Sequence, residues 1–407
     1  MTAKPAAQTE TTVFAVLFAG AFCHLLNDLM QSLLPALYPQ LKDRFGLSFA
    51  QVGLVTLAYQ TTGSLFQPLV GFVGDRKPRP WLLPLAMVST GLGITIVARA
   101  QSFGLLVAGA AVLGLGSAIF HPETSRVVRL ASGGRHGLAQ SVFQVGGNLG
   151  SALGPLMAAF VVLAFGRPSL GWFALMALTG FLVLSRVAMW HAAHGSVRRQ
   201  SAPKKADHDL SNGKVILALG VLLTLIFSKY VYLSSITSYY TFYLIERFGL
   251  TVRDAQLHLF AFLAAVAVGT VVGGPVGDKI GRKRVIWTSI LGVLPFTLAL
   301  PFVSLFWTGL LSVIIGFVLA SAFSAIVVYG QELLPKSPGL IAGLMFGFSF
   351  GVGGVSAALL GHLADATSIE TVYRVCAFLP ALGLLTVMLP DLRRRAVAAP
   401  VQPTLET

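Results

Sequence analysis

Residues 274–282 read Gly-Pro-Val-Gly-Asp-Lys-Ile-Gly-Arg, and residues 71–79 read Gly-Phe-Val-Gly-Asp-Arg-Lys-Pro-Arg. The two segments share their first glycine, their aspartate and their last arginine, and they lie 203 residues apart. The same offset separates Arg-Phe-Gly-Leu-Ser at residues 44–48 from Arg-Phe-Gly-Leu-Thr at residues 247–251. One offset that holds in separate regions indicates an internal duplication, and it predicts two homologous halves.

Long apolar segments surround these motifs along the whole chain. The 407 residues are 55% hydrophobic and only 11% charged, whereas soluble domains average about 25% charged residues. An apolar run of about 20 residues can cross a bilayer as a helix, and these runs lack the alternation typical of barrel strands. The sequence therefore predicts an all-α membrane protein of twelve transmembrane helices, arranged as two pseudo-symmetric six-helix bundles. The predicted spans are residues 13–38, 51–74, 82–98, 103–129, 137–163, 170–192, 213–245, 255–277, 285–303, 305–332, 338–363 and 372–390.

Basic residues indicate how these helices are oriented. Most of the 29 lysines and arginines fall in segments on one side if the spans alternate in direction, and such segments are usually cytoplasmic. We therefore expect both termini to be cytoplasmic, in a multi-pass protein of the bacterial inner membrane. The formal net charge of +14 reflects this bias and does not indicate a nucleic-acid partner. The predicted units are a tail (1–12), a first bundle (13–192), a linker (193–212), a second bundle (213–391) and a second tail (392–407).

The segment from Gly274 to Lys283 resembles the loop signature of the major facilitator superfamily (MFS), which follows the second helix of each half. The first-half copy departs from the signature, since Pro78 stands where a glycine is expected. An aspartate at a helix end beside several lysines and arginines can form an ion-pair network that holds one conformation. We expect these charges to gate the carrier, although they could simply set its orientation in the membrane. The predicted gating residues in the two loops are Asp75, Arg76, Arg79, Asp278, Lys279, Arg282 and Lys283.

A glycine motif in the fifth span, Gly150-x-x-x-Gly154-Pro155, resembles the antiporter motif of MFS drug exporters. Glycines four residues apart let two helix backbones approach closely, and a proline bends its helix. Gly150, Gly154 and Pro155 are therefore further predicted gating residues. Ordinary tight packing in an importer is the alternative.

More specific strings resemble the fosmidomycin resistance branch of this superfamily. They include His24-Leu-Leu-Asn27-Asp28 in span one, Phe120-His121-Pro122-Glu123 in span four and Phe227-Ser228-Lys229-Tyr230 in span seven. The resemblance covers nearly all of residues 13–391 and implies a proton-driven antiporter that exports fosmidomycin, an anionic phosphonate antibiotic. A proton-coupled importer of organic or phosphorylated anions is the alternative. A membrane receptor or enzyme is disfavoured, because the loops are short and the sequence shows no catalytic cluster.

Asp28 is the one acidic residue that lies well inside a predicted span. A carboxylate in hydrocarbon is costly unless it is neutralised or paired, so such residues usually mark an ion or substrate pathway. His24 lies four residues earlier, on the same helix face as Asp28 and Gln31. We predict that Asp28, His24 and Glu123 carry the coupling proton, with static hydrogen bonding between helices as the alternative. Glu123 and Arg126 are spaced to form an ion pair, and we assign Arg126 to gating.

Lys229 is the one basic residue deep inside a predicted span, and the offset of 203 matches it to Leu26, close to Asp28. We expect Lys229 to bind the substrate anion, to neutralise Asp28, or to do both in turn. Polar side chains on spans one, four, five and seven are predicted to complete the substrate site, unless they serve interhelical hydrogen bonds. The other predicted substrate-binding residues are Asn27, Gln31, His121, Gln140, Gln144, Asn148, Tyr232 and Tyr240.

Some functional motifs are absent from the sequence. It contains no phosphate-binding loop of the form Gly-x-x-x-x-Gly-Lys-Ser/Thr, and no group of His and Cys residues has metal-ligand spacing. We therefore expect no enzyme activity, no cofactor and no metal, with the proton gradient as the driving force. The expected partners are protons, an anionic small molecule and the lipid bilayer, and we expect the carrier to work as a monomer.

Overall fold

The structure is a computed structural model, and it describes residues 12–76, 79–133, 135–194, 210–334 and 338–392. All regular elements within these ranges are helical. The α-helices are α1 (Phe14–Ala36), α2 (Tyr38–Phe45), α3 (Phe49–Arg76), α4 (Leu82–Arg99), α5 (Phe103–Ala131), α6 (His136–Met157), α7 (Leu163–Phe165), α8 (Phe173–His194), α9 (Asn212–Phe248), α10 (Val252–Ile280), α11 (Arg282–Ile290), α12 (Leu294–Ala299), α13 (Leu305–Leu333), α14 (Pro338–Ala366) and α15 (Ile369–Cys376). Short 3₁₀ helices lie at Arg167–Trp172, Leu291–Val293, Leu300–Phe302 and Leu379–Met388, and a π-helical turn lies at Ala158–Val162.

Eleven helical segments of the described chain are long and apolar enough to cross a membrane. The remaining predicted span is α3, whose 28 residues extend for roughly 42 Å and are therefore also long enough. Its hydropathy is lower because it carries polar side chains, and two of these, Gln60 and Gln67, face the interior of the bundle. The predicted all-α fold, with twelve transmembrane helices in two six-helix halves, is confirmed.

Prolines decide where the first span ends. Helix α1 stops at Ala36, one residue after Pro35, and α2 starts at Tyr38 with Pro39 in its first turn. Proline has no N–H group for the helix ladder, but the first turn of a helix does not need one. The predicted span 13–38 is therefore a helix of 23 residues followed by a short second helix.

The repeated Arg-Phe-Gly motif ends a helix in each half. Gly46 follows α2 with a φ of 60°, and Gly249 follows α9 with a φ of 66°. Their N–H groups donate to the carbonyl oxygens of Lys42 and Ile245, respectively. A positive φ strains a residue that carries a Cβ, so both helix ends favour glycine. The sequence repeat thus corresponds to a structural repeat.

The two halves pack against each other mainly through two helix pairs, α3 with α14 and α6 with α10. We call the face of the bundle at which α1 begins the proximal face, and the opposite one the distal face. Several hydrogen bonds join the halves, and they lie toward the distal face: Asp365 with Phe49 and Ala50, Tyr239 with Phe49, Thr56 with Ser238, and Gln256 with Ala36. Together they close the bundle at that face.

Asp365 makes the charged contact in this set. Its Oδ1 accepts a hydrogen bond from Phe49 N at 2.8 Å, and its Oδ2 accepts one from Ala50 N at 2.7 Å. Both N–H groups belong to the first turn of α3, where the helix itself offers no acceptor, and the helix dipole also favours a carboxylate there. At the matching end of α10, the Arg253 guanidinium lies 4.7 Å from the ring centroid of Phe160. Each half thus contacts the start of a helix in the other.

Asp365→Ala is expected to destabilise the conformation that is closed at the distal face. The N–H groups of Phe49 and Ala50 lose their acceptor, which reduces the stability of this conformation by about 1 kcal/mol. A change of that size shifts a two-state equilibrium by roughly fivefold. Ser32→Cys, in a variant without Cys23 and Cys376, reports access to the interior. A membrane-impermeant thiol reagent added at the distal face should label this cysteine several-fold faster when Asp365 is replaced.

Asp43→Ala is the control for this measurement, since it removes an exposed carboxylate of α2 at the same end of the bundle. Labelling rates that are equal for Asp365→Ala and Asp43→Ala would contradict a closing role for Asp365.

Candidate substrate cavity

A cavity of about 500 Å³ lies between the two halves. Helices α1, α3, α5 and α6 form its first wall, and α9, α10, α13 and α14 form its second wall. This volume is in the range of small-molecule sites. The first wall is mostly polar, with the side chains of His24, Asp28, Gln31, Ser32, Tyr59, Gln60, Gln67, His121, Ser125, Gln144, Asn148 and Ser151.

Asp28 lies between two histidines on the first wall. His24 Nε2 is 3.3 Å from Asp28 Oδ2, and His121 Nε2 is 3.6 Å from Asp28 Oδ1. The two Nε2 atoms are 3.1 Å apart. The contact that the i, i+4 spacing of His24 and Asp28 predicts is present, and the fold adds His121 from α5. We call these three residues the His–Asp–His cluster.

Backbone carbonyl groups orient both imidazole rings. His24 Nδ1 is 2.7 Å from Phe143 O, and His121 Nδ1 is 3.0 Å from Ser117 O. A carbonyl only accepts, so each Nδ1 donates and each Nε2 faces the other histidine and Asp28. A hydrogen bond between the two Nε2 atoms needs a proton on one of them, and that ring then carries two N–H groups and a positive charge. The His–Asp–His cluster is therefore arranged to share a proton.

Asn27 supports the cluster from behind. It is fully buried, its Nδ2 donates to Asp28 Oδ1 at 3.0 Å, and its Oδ1 accepts from Thr90 Oγ1 at 3.0 Å. Both ends of the amide are thus occupied within the protein. In the structure Asn27 therefore fixes the position of Asp28. The sequence instead predicts that Asn27 contacts the substrate.

Side-chain amides on the first wall offer hydrogen-bond donors to a ligand. Three of them have NH₂ groups without a partner among the described residues: Gln31, Gln67 and Asn148. Gln31 is only 5% exposed, and its Oε1 already accepts from Tyr59 OH at 2.6 Å, so its Nε2 is a buried donor that a ligand could satisfy. Of the substrate-binding residues predicted on the fifth span, Gln144 and Asn148 line the cavity, and Ser151 on the same helix lines it as well. The side chain of Gln140 lies outside the described part of the structure.

Lys229 lies behind the second wall and not at the cavity surface. It is 6% exposed, and its Nζ is 3.5 Å from Ala320 O. The same atom lies 5.7 Å from the ring centroid of Tyr230 and 5.6 Å from that of Phe323. The ion pair between Lys229 and Asp28 that the sequence predicts is absent from this conformation, because Asp28 is paired with histidines of its own half.

Tyr232 and Tyr240 also lie away from the cavity lining. Both are at most 1% exposed. Tyr240 stacks with Tyr243 at a centroid distance of 6.5 Å, and Tyr243 packs 4.3 Å from Tyr373. These rings belong to the core of the second half, so the structure does not place Tyr232 or Tyr240 where a substrate in this cavity would touch them.

Glu123 is fully buried and forms an ion pair with Arg126, whose Nη1 is 3.1 Å from each carboxylate oxygen. It does not line the cavity, although its neighbours His121 and Pro122 do. The predicted ion pair is therefore present. A proton-carrying role for Glu123 and a gating role for Arg126 stay predictions.

Comparison with known proteins decides the family. A sequence model of the Major Facilitator Superfamily matches residues 20–358 and again residues 222–404. The chain belongs to the major facilitator superfamily. The two overlapping matches agree with the duplicated helices described above.

Sequence relatives show to which branch of the superfamily this MFS protein belongs. The chain is 57% identical over 384 residues to the fosmidomycin resistance protein of Escherichia coli (strain K12), covering 94% of this chain and 95% of that protein. It is 39% identical over 391 residues to the uncharacterized MFS-type transporter YfnC of Bacillus subtilis (strain 168), covering 95% and 96%. The fold is similar to the crystal structure of a bacterial homologue of the human lysosomal transporter Spinster in an inward-facing and occupied conformation, with a TM-score of 0.71, 16% identity and 95% coverage of each chain. The chain is thus a transporter of the fosmidomycin resistance branch and not an enzyme.

The glycines of the fifth span let α6 of this MFS transporter lie directly against α1. A Cβ added at Gly150 would collide with the carbonyl oxygen of Leu25, and one at Gly154 would collide with the Ser32 side chain. One at Gly147 would strike the ring of His24. Pro155 follows in the same helix, three residues before the π-helical turn. The predicted gating glycines therefore position α1 and with it the His–Asp–His cluster.

The charged MFS loops are only partly described. The side chains of Asp75, Arg76, Asp278 and Lys279 lie outside the described part of the structure, and Arg79 is exposed. Arg282 Nε donates to Glu332 Oε1 at 2.9 Å, and Lys283 Nζ donates to Leu389 O at 2.5 Å. In the second half these two cations join α11 to α13 and to the end of the last 3₁₀ helix. A gating role for the loop charges stays a prediction.

His24, Asp28 and His121 also place three potential metal ligands within 4.8 Å of one another. Almost a hundred residues of sequence separate His121 from the other two, which is why the chain shows no metal-ligand spacing. The three residues that could face a cation are the same three that form the His–Asp–His cluster.

Several lining residues of the MFS cavity give no signal in the sequence. The second wall contains Phe323, Phe346 and Phe350, which belong to spans ten and eleven, where apolar residues lie on every side of the helix. In such a span the lipid-facing and cavity-facing sides have the same composition, so periodicity does not separate them. On the first wall, the glutamines of α3 are the signal that could have been used, since a polar residue inside a span usually faces the bundle interior.

Gly150→Ala is expected to push α6 away from α1, because the new Cβ would meet the carbonyl oxygen of Leu25. Overpacking of this kind costs about 1–3 kcal/mol. The melting temperature of the purified protein should therefore fall by several degrees, and transport should fall with it. Gly220→Ala is the matched control, because an added Cβ there has nothing within 4 Å. Equal melting temperatures for the two variants would show that α6 does not need this close contact.

Proposed function

We propose that this transporter exports an anionic small molecule, a phosphonate of the fosmidomycin type, in exchange for protons by alternating access. The main support is the 57% identity over 94% of the chain to a protein named for fosmidomycin resistance. A transporter can confer resistance by export, because export lowers the concentration of the drug inside the cell. We place the carrier in the bacterial inner membrane with both termini in the cytoplasm, working as a monomer.

The first wall of the cavity supports an anionic substrate. The oxygens of an ionised phosphonate accept hydrogen bonds, and the free NH₂ groups of Gln31, Gln67 and Asn148 can donate to them. All three amide side chains line one cavity.

Proton and substrate exclude each other in this proposal. The separations of 3.1 to 3.6 Å within the His–Asp–His cluster leave no space for a substrate oxygen among the three side chains. Binding of the anion therefore requires the cluster to open, and the shared proton leaves as it opens. The anion is then held by the amide NH₂ groups of Gln31, Gln67 and Asn148, because neither Nε2 atom keeps a hydrogen to donate. Mutual exclusion of the closed cluster and the bound anion is the property that an exchanger requires.

The distal hydrogen bonds support alternating access. Asp365 holds the start of α3 while the cavity reaches Gln67, Ser125 and Gln144, which lie toward the proximal ends of their helices. In the proposed orientation this state receives substrate from the cytoplasm. Release on the other side then requires the Asp365 contacts to break and the proximal ends to close, as rocking of two repeats would do.

Import of an organic or phosphorylated anion together with a proton is the second candidate. One observation favours it: a proton held between His24 and His121 makes the cluster more positive and attracts an anion. Ligands that stabilise each other's binding tend to move together, and an inward proton gradient would then drive uptake.

Proteoliposomes with a proton gradient of either sign distinguish the two candidates. Exchange predicts that labelled fosmidomycin enters vesicles whose interior is acidic, because protons leave as the substrate enters. Cotransport of the anion with a proton predicts uptake into vesicles whose exterior is acidic. Uptake that is independent of both gradients would contradict proton coupling in either direction.

Asp28→Asn is expected to uncouple transport from protons, because a neutral amide of the same size removes the negative charge that stabilises the proton shared by His24 and His121. Uptake driven by the proton gradient should fall to the rate measured without a gradient, while exchange of labelled for unlabelled substrate persists. Asp43→Asn alters an exposed carboxylate outside the cavity and should keep the wild-type rate. Wild-type coupling in Asp28→Asn would place the proton site elsewhere.

A further inference from the structure

The second wall of the cavity is apolar, unlike the first. Its side chains come from α9, α10, α13 and α14 and include Leu233, Leu263, Val266, Phe323, Phe346 and Phe350. The polar side chains that this half contributes to the described lining are Tyr230, Ser234 and Thr237, and none of them is charged at neutral pH. The two walls therefore offer a ligand opposite kinds of surface.

Ring contacts hold the aromatic part of this wall in place. Phe323 meets Phe346 edge to face with centroids 4.9 Å apart, and Tyr230 meets Phe323 in the same way at 5.5 Å. The Lys229 ammonium lies within 6 Å of the Tyr230 and Phe323 centroids, at 5.7 and 5.6 Å. Edge-to-face pairs and cation–π contacts both favour these ring orientations. The wall is thus preorganised, and Lys229 serves it as a positioning residue.

A small, fully polar anion would leave this surface unused. Each CH₂ group buried against it would instead strengthen binding by up to about fourfold. Compact anions rich in hydroxyl groups, such as sugar phosphates, would gain nothing there, because their hydroxyls would lose water against aromatic rings without finding hydrogen-bond partners.

We propose that the substrates of this transporter are anionic amphiphiles. A phosphonate or phosphate head binds the first wall at Gln31, Gln67 and Asn148, and an alkyl or aryl tail binds the second wall at Phe323, Phe346 and Phe350. This inference rests on the proposed function, because it assumes that the first wall binds the anionic head.

Competition by a homologous series of phosphonates tests this substrate class. Methyl-, propyl-, hexyl- and 3-phenylpropylphosphonate compete against labelled fosmidomycin for uptake into proteoliposomes. In the wild-type protein, the concentration for half inhibition should fall by about two- to fourfold per added CH₂ until the tail fills the wall. In the double variant Phe346→Ala, Phe350→Ala this dependence should flatten, while methylphosphonate inhibits as it does in the wild type.

Two control variants show whether the effect of the double variant comes from loss of the aromatic wall. Phe306→Ala removes a ring on the outer surface of α13 that is 72% exposed, and it should keep the wild-type dependence on tail length. Phe346→Leu keeps the site apolar and should retain most of that dependence, which separates loss of the wall from loss of the fold.

Inhibition that is independent of tail length in the wild type would overturn the amphiphile proposal and leave phosphonate export standing. Equal dependence in the wild type and the double variant would also overturn it, since the tails would then gain from lipid and not from the wall. Absence of fosmidomycin transport would instead overturn the proposed function, and this inference with it.

Discussion

The charge of a carboxylate in the middle of a membrane must be neutralised or hydrogen-bonded by other groups of the protein, and Asp28 is such a carboxylate. His24 from its own helix and His121 from α5 provide these interactions, and Asn27 adds a third contact. Because the partners come from two helices, the constraint fixes how α1 and α5 are rotated toward each other. That rotation turns Gln31 into the cavity and so determines where a polar ligand can bind.

The surrounding packing serves this cluster. Glycines of α6 allow the backbone of α1 to come close, and the same helix supplies the Phe143 carbonyl that orients His24. At the distal face, Asp365 holds the start of α3 across the boundary between the halves. Close backbone contact and helix capping do not depend on which substrate is carried.

The residues show how far the sequence could predict the structure. The offset of 203 residues predicted two halves, and Gly46 and Gly249 do end equivalent helices. Spacing within α1 predicted the contact of His24 with Asp28, because neighbours on one helix need no tertiary information. The third member, His121, and the buried position of Lys229 depend on how separate helices rotate against each other. The sequence of each helix taken alone contains no measure of that rotation.

Proton release on substrate binding tests the central claim most directly, because it requires neither a membrane nor a known transport direction. Fosmidomycin is added to the purified protein in weakly buffered detergent solution that contains a pH indicator. The account predicts that binding releases protons from the wild type and not from Asp28→Asn. Proton uptake, or binding without any proton change, would contradict the claim that the His–Asp–His cluster exchanges its proton for the anion.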